Sequence, residues 1–314
     1  MKRILFWDYA RAIALFLVVF AHLYTVDSDV RLYIYAFHMP FFFIASGYLH
    51  RDSNIRLLIN KLFQRLIIPF MAFLAMGYAF HVVGNQSLSL NVAYASIKGI
   101  VLGRHIAANS ILWFLLALFW VRIMGALFIR MPSHSVWIYL CIFALVNYSH
   151  LNILYIGSSL MALPFYLWGY YGKGFTDKLV QCKYNLFYAV LFLCMTVLIS
   201  LYNGKVSMMG MSFGMSSYLP LRILLFYVNG IIGSYLLVCL VGGVKLKMGW
   251  LLYPSHCALS IVGLQVIPMK LWSRIVGFNQ NLFYSFMYSL LIILCCILFH
   301  LYVEKHAKWI VGGK

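Results

Sequence analysis

FWDYARAIALFLVVFAHLY, residues 6–24, is apolar enough to cross a bilayer, yet it carries Asp8, Arg11 and His22. Each of these costs on the order of a few kcal/mol when it stands alone near the bilayer centre, so ionisable residues in such a span are read as functional by default. Arg11 and His22 are eleven positions apart, which is roughly 16 Å along a helix axis. That spacing brings the guanidinium near one membrane face and the imidazole well towards the other. The stretch therefore reads as the first helix of a polytopic membrane protein, with chemistry across the membrane.

The composition extends this reading to the whole chain. Of its 314 residues 64% are hydrophobic and only 10% charged, whereas soluble domains carry about 25% charged residues. The net charge of +18 lies in short loops between apolar runs, the pattern of loops facing anionic lipid and not of a nucleic-acid-binding face. The six acids are Asp8, Asp27, Asp29, Asp52, Asp177 and Glu304, which leaves little for a mechanism built on paired carboxylates. The seven cysteines show no CxxC and no zinc or disulfide spacing, so they read as small core residues and no metal is expected. Lys2 and Arg3 precede the first apolar run as in a signal peptide, but no small-residue cleavage site follows. It is read as a retained helix.

Apolar runs long enough to span fall near 5–25, 33–50, 66–84, 110–129, 136–150, 157–172, 184–203, 218–242, 249–268 and 282–303. The predicted fold class is therefore all-α integral membrane, about ten transmembrane helices, in a single domain over 1–314. Ten spans put both termini on one side. With that side cytoplasmic, inner segments hold fifteen Lys and Arg against seven outside, with Arg11 and Arg122 within spans; the positive-inside bias makes both termini cytoplasmic. The inner segment 51–65, RDSNIRLLINKLFQR, reads as an amphipathic surface helix. Of the outer stretches, 85–109 and 204–217, the second is rich in Gly, Ser and Met and either dips into the membrane or covers a site.

Asp8 and Arg11 are one helical turn apart. They form either an internal ion pair or a guanidinium aimed at an anionic ligand with Asp8 orienting it. His22 and His38 fall at similar depth on neighbouring antiparallel spans. A neutral imidazole there accepts a proton from a hydroxyl, as acyl transfer to an alcohol requires; two interfacial histidines bonded to backbone are the plainer alternative. Asp27 and Asp29 close by admit proton handling. Met39-Pro40 and Ser46-Gly47 are expected to break up the second span. His105, His134 and His150 are read as solvated loop residues, and His300 and His306, near Glu304, as decorating the last helix end. Arg122 either faces a cavity or snorkels to an interface.

RILFWDYARAIALFLVVFAHLY followed by FHMPFFFIASGYL resembles the opening of the membrane-bound acyltransferase family 3 proteins. Their Arg or Lys, ten residues and His is matched by Arg11 and His22. Their His-x-Pro-x-Phe-Phe stretch ending in Ser-Gly is matched by His38, Pro40, Phe42, Phe43, Ser46 and Gly47. A basic stretch leading to proline resembles Lys61, Arg65 and Pro69. LWFLLALF, with Trp113 and Phe114, is similar to the fourth-span motif, and LLYPSHCALSI, around Ser255 and His256, to a weaker late one. The resemblance implies a multi-pass O-acyltransferase of the bacterial inner (cytoplasmic) membrane. It takes acetyl from acetyl-CoA and places it on a hydroxyl of a cell-surface polysaccharide or its lipid-linked precursor. In that light Arg11, Lys61 and Arg65 contact the CoA phosphates. His22 is the catalytic base or an acyl carrier, and His38 assists. Asp8, Trp113, Ser255 and His256 are accessory.

The competing class is a proton-coupled transporter of a glycan or lipid-linked sugar, with histidines as proton relay and aromatics against sugar rings. Such a protein is expected to show broken helices at related positions of two halves, and no convincing pair is present. A structural subunit leaves the charged first span unexplained.

Overall fold

The computed structural model describes residues 5–23, 28–85, 90–132, 135–215, 218–244, 249–276 and 281–313. Lys2, Arg3, Asp27, His134, Lys245, Lys247 and Lys314, on which the charge and proton-handling readings drew, lie outside them. The described residues form helices joined by turns and loops, without a strand; one isolated antiparallel bridge joins Ser207 and Ser212.

The chain opens with α1 (Leu5–His22) and α2 (Ser28–Tyr48). A polar break then leads to α3 (Ile55–Leu62), a π-helical turn (Phe63–Ile67) and α4 (Ile68–Asn85), one continuous rod. α5 (Leu90–Val101), α6 (Trp113–Phe128), α7 (Ser135–Ser149), α8 (Ile156–Tyr171) and the short α9 (Lys173–Val180) follow. α10 (Asn185–Asn203) and α11 (Leu219–Val244) precede a segmented stretch, α12 (Tyr253–His256), α13 (Ala258–Leu264) and α14 (Val266–Val276). α15 (Leu282–His306) and a 3₁₀ turn (Lys308–Val311) end it.

Seven of these stretches are long and apolar enough to cross a membrane: 5–22, 55–84, 110–128, 153–171, 185–203, 219–243 and 282–306. The other three expected spans depart from that standard for separate reasons. α2 has 21 residues, but Asp29, Arg31 and His38 dilute its hydropathy. α7 has only 15 residues, about 22 Å of rise, against a hydrocarbon core of about 30 Å. The stretch 249–268 is no single helix. It is interrupted at Cys257 and Gln265, and Pro268, which has no N–H to give to Leu264 four residues back, fits the end of α13 there.

An all-apolar helix is buried either by protein or by lipid, and the spans divide accordingly. In α1 and α8 61% of the spanning window is buried, whereas in α10 it is 22%. α1 and α8 are core helices, and α10 belongs to the outer shell. α2 is the hub, packing against α1, α8 and α11. At its crossing with α8 two glycines interlock: a Cβ on Gly47 would overlap the Tyr166 carbonyl, and one on Gly169 the Ile44 carbonyl. Small residues let membrane helices approach to backbone contact in this way.

Three sequence expectations change. α2 runs unbroken through Pro40 and Gly47. The amphipathic reading of 51–65 holds over Ile55–Leu62, where Leu58 and Leu62 are buried and the other residues exposed or half-buried; Asn54 caps the helix through the Arg56 N–H, and it flows into α4. Three of the seven free cysteines, Cys141, Cys194 and Cys295, are exposed and so are not core residues. His300 does not decorate a helix end: it is buried, with Nδ1 2.8 Å from Ser260 Oγ and Nε2 3.8 Å from Glu304 Oε2.

Candidate functional site

Two cavities sit at opposite ends of α1. The first, about 420 Å³, is walled by Arg11 and Leu15 of α1, Ala45 and Ser46 of α2, Arg65, Phe114 and Arg122 of α6, and His256. The second, about 270 Å³, is walled by His22, Tyr35, His38, His105, Trp113 and the segment Lys205 to Met209. We call them the Arg cavity and the His cavity. Along α2 and α6 they nearly meet, Met39 and Trp113 lining one, Phe42 and Phe114 the other. The Phe42 and Phe114 rings, with centroids 5.6 Å apart, stand at the Arg-cavity side of this boundary.

Arg11 is held from behind. Its Nη1 lies 3.5 Å from Asp8 Oδ1, one turn back, and the Ser255 hydroxyl donates to the same oxygen at 3.2 Å. The ion pair of the first reading is therefore present, and the guanidinium also lines a cavity. Arg65 arrives on the π turn, a helix irregularity that recurs at functional positions and here carries an exposed arginine to the cavity edge. Arg122 faces the cavity, which resolves its two readings. Lys61 is exposed on α3 and is not among the residues that wall the cavity.

At the other end the two imidazoles are fixed by backbone. His22 Nδ1 lies 2.7 Å from the Val18 carbonyl and His38 Nδ1 2.9 Å from the Ile34 carbonyl. A carbonyl only accepts, so each Nδ1 carries the proton and each neutral ring has its lone pair on Nε2. The rings stand edge to face at 6.1 Å, with Tyr35 beside both. His38 is buried and His22 half-buried, so His22 is the more accessible lone pair. Trp113 is buried against Tyr155 and Phe114. Asn109 caps the turn before it and donates to the Gly263 carbonyl at 2.7 Å, tying the start of α6 to α13.

His105, read from sequence as a solvated loop residue, is exposed but lines the His cavity; His150 is exposed as expected. The Met-rich segment covers the same cavity through Lys205 to Met209. One buried side chain anchors both loops, since Asn152 Nδ2 lies 2.7 Å from the Gly103 carbonyl and 3.0 Å from the Met209 carbonyl. Spacing gave no sign of His105, Tyr35 or Lys205, because they reach the cavity by loop folding and helix rotation. Arg122 did give one, as an arginine inside an apolar span.

A family model described as Acyltransferase domain, that of acyltransferase family 3, matches residues 4–301. The chain belongs to acyltransferase family 3. Neither a curated protein nor a solved structure matches it. As a family 3 member with seven helices among the described residues long and apolar enough to cross a membrane, the chain is a multi-pass membrane acyltransferase. The matched region takes in both cavities, apart from the Val311 and Gly312 turn at the Arg-cavity edge.

Proposed function

We propose that this acyltransferase transfers acetyl from acetyl-CoA to a hydroxyl of a cell-surface polysaccharide, or its lipid-linked precursor, in a bacterial inner membrane. Counted as ten spans, the seven long ones with α2, α7 and the segmented 249–268 stretch, the chain has both termini on one side, and the excess of Lys and Arg on that side supports the cytoplasm. The observation that carries the reading is the opposition of the two cavities along one helix. Permanently charged, planar guanidinium groups suit phosphate, and imidazole lone pairs suit a hydroxyl proton.

In this orientation Arg11 and Arg65 bind the CoA phosphates from the cytoplasm. The thioester arm runs along α1 past Phe42 and Phe114 towards His22. His22 Nε2 takes the proton of the sugar hydroxyl as its oxygen attacks the thioester carbonyl. The C–S bond then breaks, and the departing thiolate recovers the proton from the imidazolium, leaving ester and free thiol. His38 stands edge-on to His22 and fixes its ring. The apolar boundary between the cavities keeps water from the thioester.

The test is the O-acetyl content of surface polysaccharide in cells carrying the wild type, a deletion, or His22→Ala at matched expression. Loss in both the deletion and the point mutant is expected. Unchanged acetylation, with glycan accumulating inside the cell, would instead show transport.

A further inference from the structure

The third arginine of the Arg cavity has a support that the reaction above does not use. Arg11, Arg65 and Arg122 wall the same cavity, the first and last half-buried and Arg65 exposed at its edge on the π turn between α3 and α4. The cavity wall contains no carboxylate among the described residues, and Asp8 behind it is engaged with Arg11 and Ser255. Arg122 Nε is buried and makes no hydrogen bond among the described residues; a buried donor of this kind is costly unless something accepts from the group.

Behind Arg122 runs a string of polar side chains. The Tyr166 hydroxyl lies against the guanidinium and 2.6 Å from His50 Nδ1, and His50 Nε2 faces Asp52 Oδ1 at 3.5 Å. Where Tyr166 donates to His50 Nδ1, its oxygen keeps its lone pairs for the neighbouring guanidinium, which only donates. That leaves the His50 proton on Nε2, towards the Asp52 carboxylate. His50 Nε2 makes no hydrogen bond among the described residues, so Asp52 stands near the end of the string without closing it. Gly125, three residues beyond Arg122, makes room for it: a Cβ there would overlap the Tyr166 ring.

We propose that Arg122 is a donor-binding residue that grips, together with Arg11, the phosphate nearest the acyl arm, and that Tyr166 and His50 are positioning residues that aim it. This rests on the donor reading of the Arg cavity. The adenosine end of the donor, with its 3′-phosphate, lies at the Arg65 rim.

The experiment is calorimetric binding of coenzyme A, 4′-phosphopantetheine and pantetheine to the full-length protein in lipid nanodiscs. Arg122→Gln weakens the first two by about 10- to 100-fold, as loss of a charged hydrogen bond does, and leaves pantetheine unchanged. Arg122→Lys, which keeps the charge but not the fork, falls between. Tyr166→Phe and His50→Leu each weaken coenzyme A by roughly 3- to 10-fold, while His50→Asn keeps an acceptor where Nδ1 stood and recovers most of the affinity. His50 is faced by Tyr166 and Tyr170 of α8, Asp52, Arg122 of α6 and Lys173 of α9. Burial lowers its proton affinity from the ordinary value, the nearby Asp52 opposing. Coenzyme A affinity is therefore expected to fall as His50 gains a proton, at a pH below the ordinary imidazole range; in His50→Asn that fall is absent.

Normal coenzyme A binding by Arg122→Gln alongside weak binding by Arg11→Gln overturns the assignment. So does equal weakening of all three probes, which would make Arg122 a packing residue of the arm's channel. A wild type that binds no coenzyme A sinks the donor reading itself, and is told apart because every variant then behaves as the wild type does.

Discussion

The two ends of α1 are built by different means. The Arg cavity draws its polar groups from remote parts of the chain, Arg11, Arg65, Arg122 and His256, and holds one of its charges with the buried carboxylate of Asp8. The His cavity draws its central pair from two consecutive helices and holds them with main-chain carbonyls one turn back. Guanidiniums keep their charge at any physiological pH, so that end suits a standing anion. Neutral imidazoles of fixed tautomer suit a proton that comes and goes. Binding and chemistry are thus separable along a single helix, and mutations at the two ends are expected to separate them in kinetics.

His22→Ala brings the largest expected change. Removing a general base lowers the rate by about 10²- to 10⁴-fold, and coenzyme A affinity at the far end stays at the wild-type value. Parallel loss of affinity and rate would break the comparison, because the two ends would then act as one site. Arg11→Gln is the converse and comes next. It raises the donor KM by about 10- to 100-fold, in line with a charge-assisted hydrogen bond, and changes kcat much less. A kcat defect with normal KM would move Arg11 from donor binding to the chemical step.

The sequence carried the two ends unequally. Arg11 and His22 share one helix, so their spacing alone set them at opposite depths, and the antiparallel turn into α2 brought His38 level with His22. The all-α class, and helices under each expected span, followed from apolar run length. The rest depends on tertiary packing. His256 and Ser255 come to α1 only because the 249–268 stretch breaks into short helices that fold back on it. His50, Tyr166 and Asp52 meet across α2 and α8 through a crossing of two glycines. Lys61 shares the basic segment with Arg65, but the π turn presents the two differently and only Arg65 reaches the cavity.

Gly47→Ala sharpens the comparison by disturbing one end mechanically. Its Cβ would overlap the Tyr166 carbonyl, so α2 and α8 must part, at a cost of about 1–3 kcal/mol for an overpacked contact. A lower melting temperature in detergent is expected, together with weaker coenzyme A binding, because Tyr166 shifts at the Arg-cavity end. Rate measured at saturating donor should hold, since His22 and His38 lie several turns away on their helices. An unchanged melting temperature would show that the crossing relaxes freely.

Ser255→Ala has the smallest expected effect and asks whether the late segment takes part at all. The Ser255 hydroxyl donates to Asp8 Oδ1 at 3.2 Å, the oxygen that also faces Arg11 Nη1 at 3.5 Å. Without it the carboxylate keeps its charge but loses one of the contacts that fix its plane, and Arg11 is aimed less tightly. A hydrogen bond to a carboxylate contributes about 1.5 kcal/mol or somewhat more when its loss strands the acceptor, and less where Arg11 compensates. The expected outcome is a rise of about 3- to 10-fold in donor KM, with kcat and thermal stability near wild type. Asp8→Asn should exceed it in the same direction, because it removes the charge that the hydroxyl only orients. If Ser255→Ala alters neither parameter while Asp8→Asn raises KM, the 249–256 segment closes the cavity by shape alone and Arg11 is aimed from within α1.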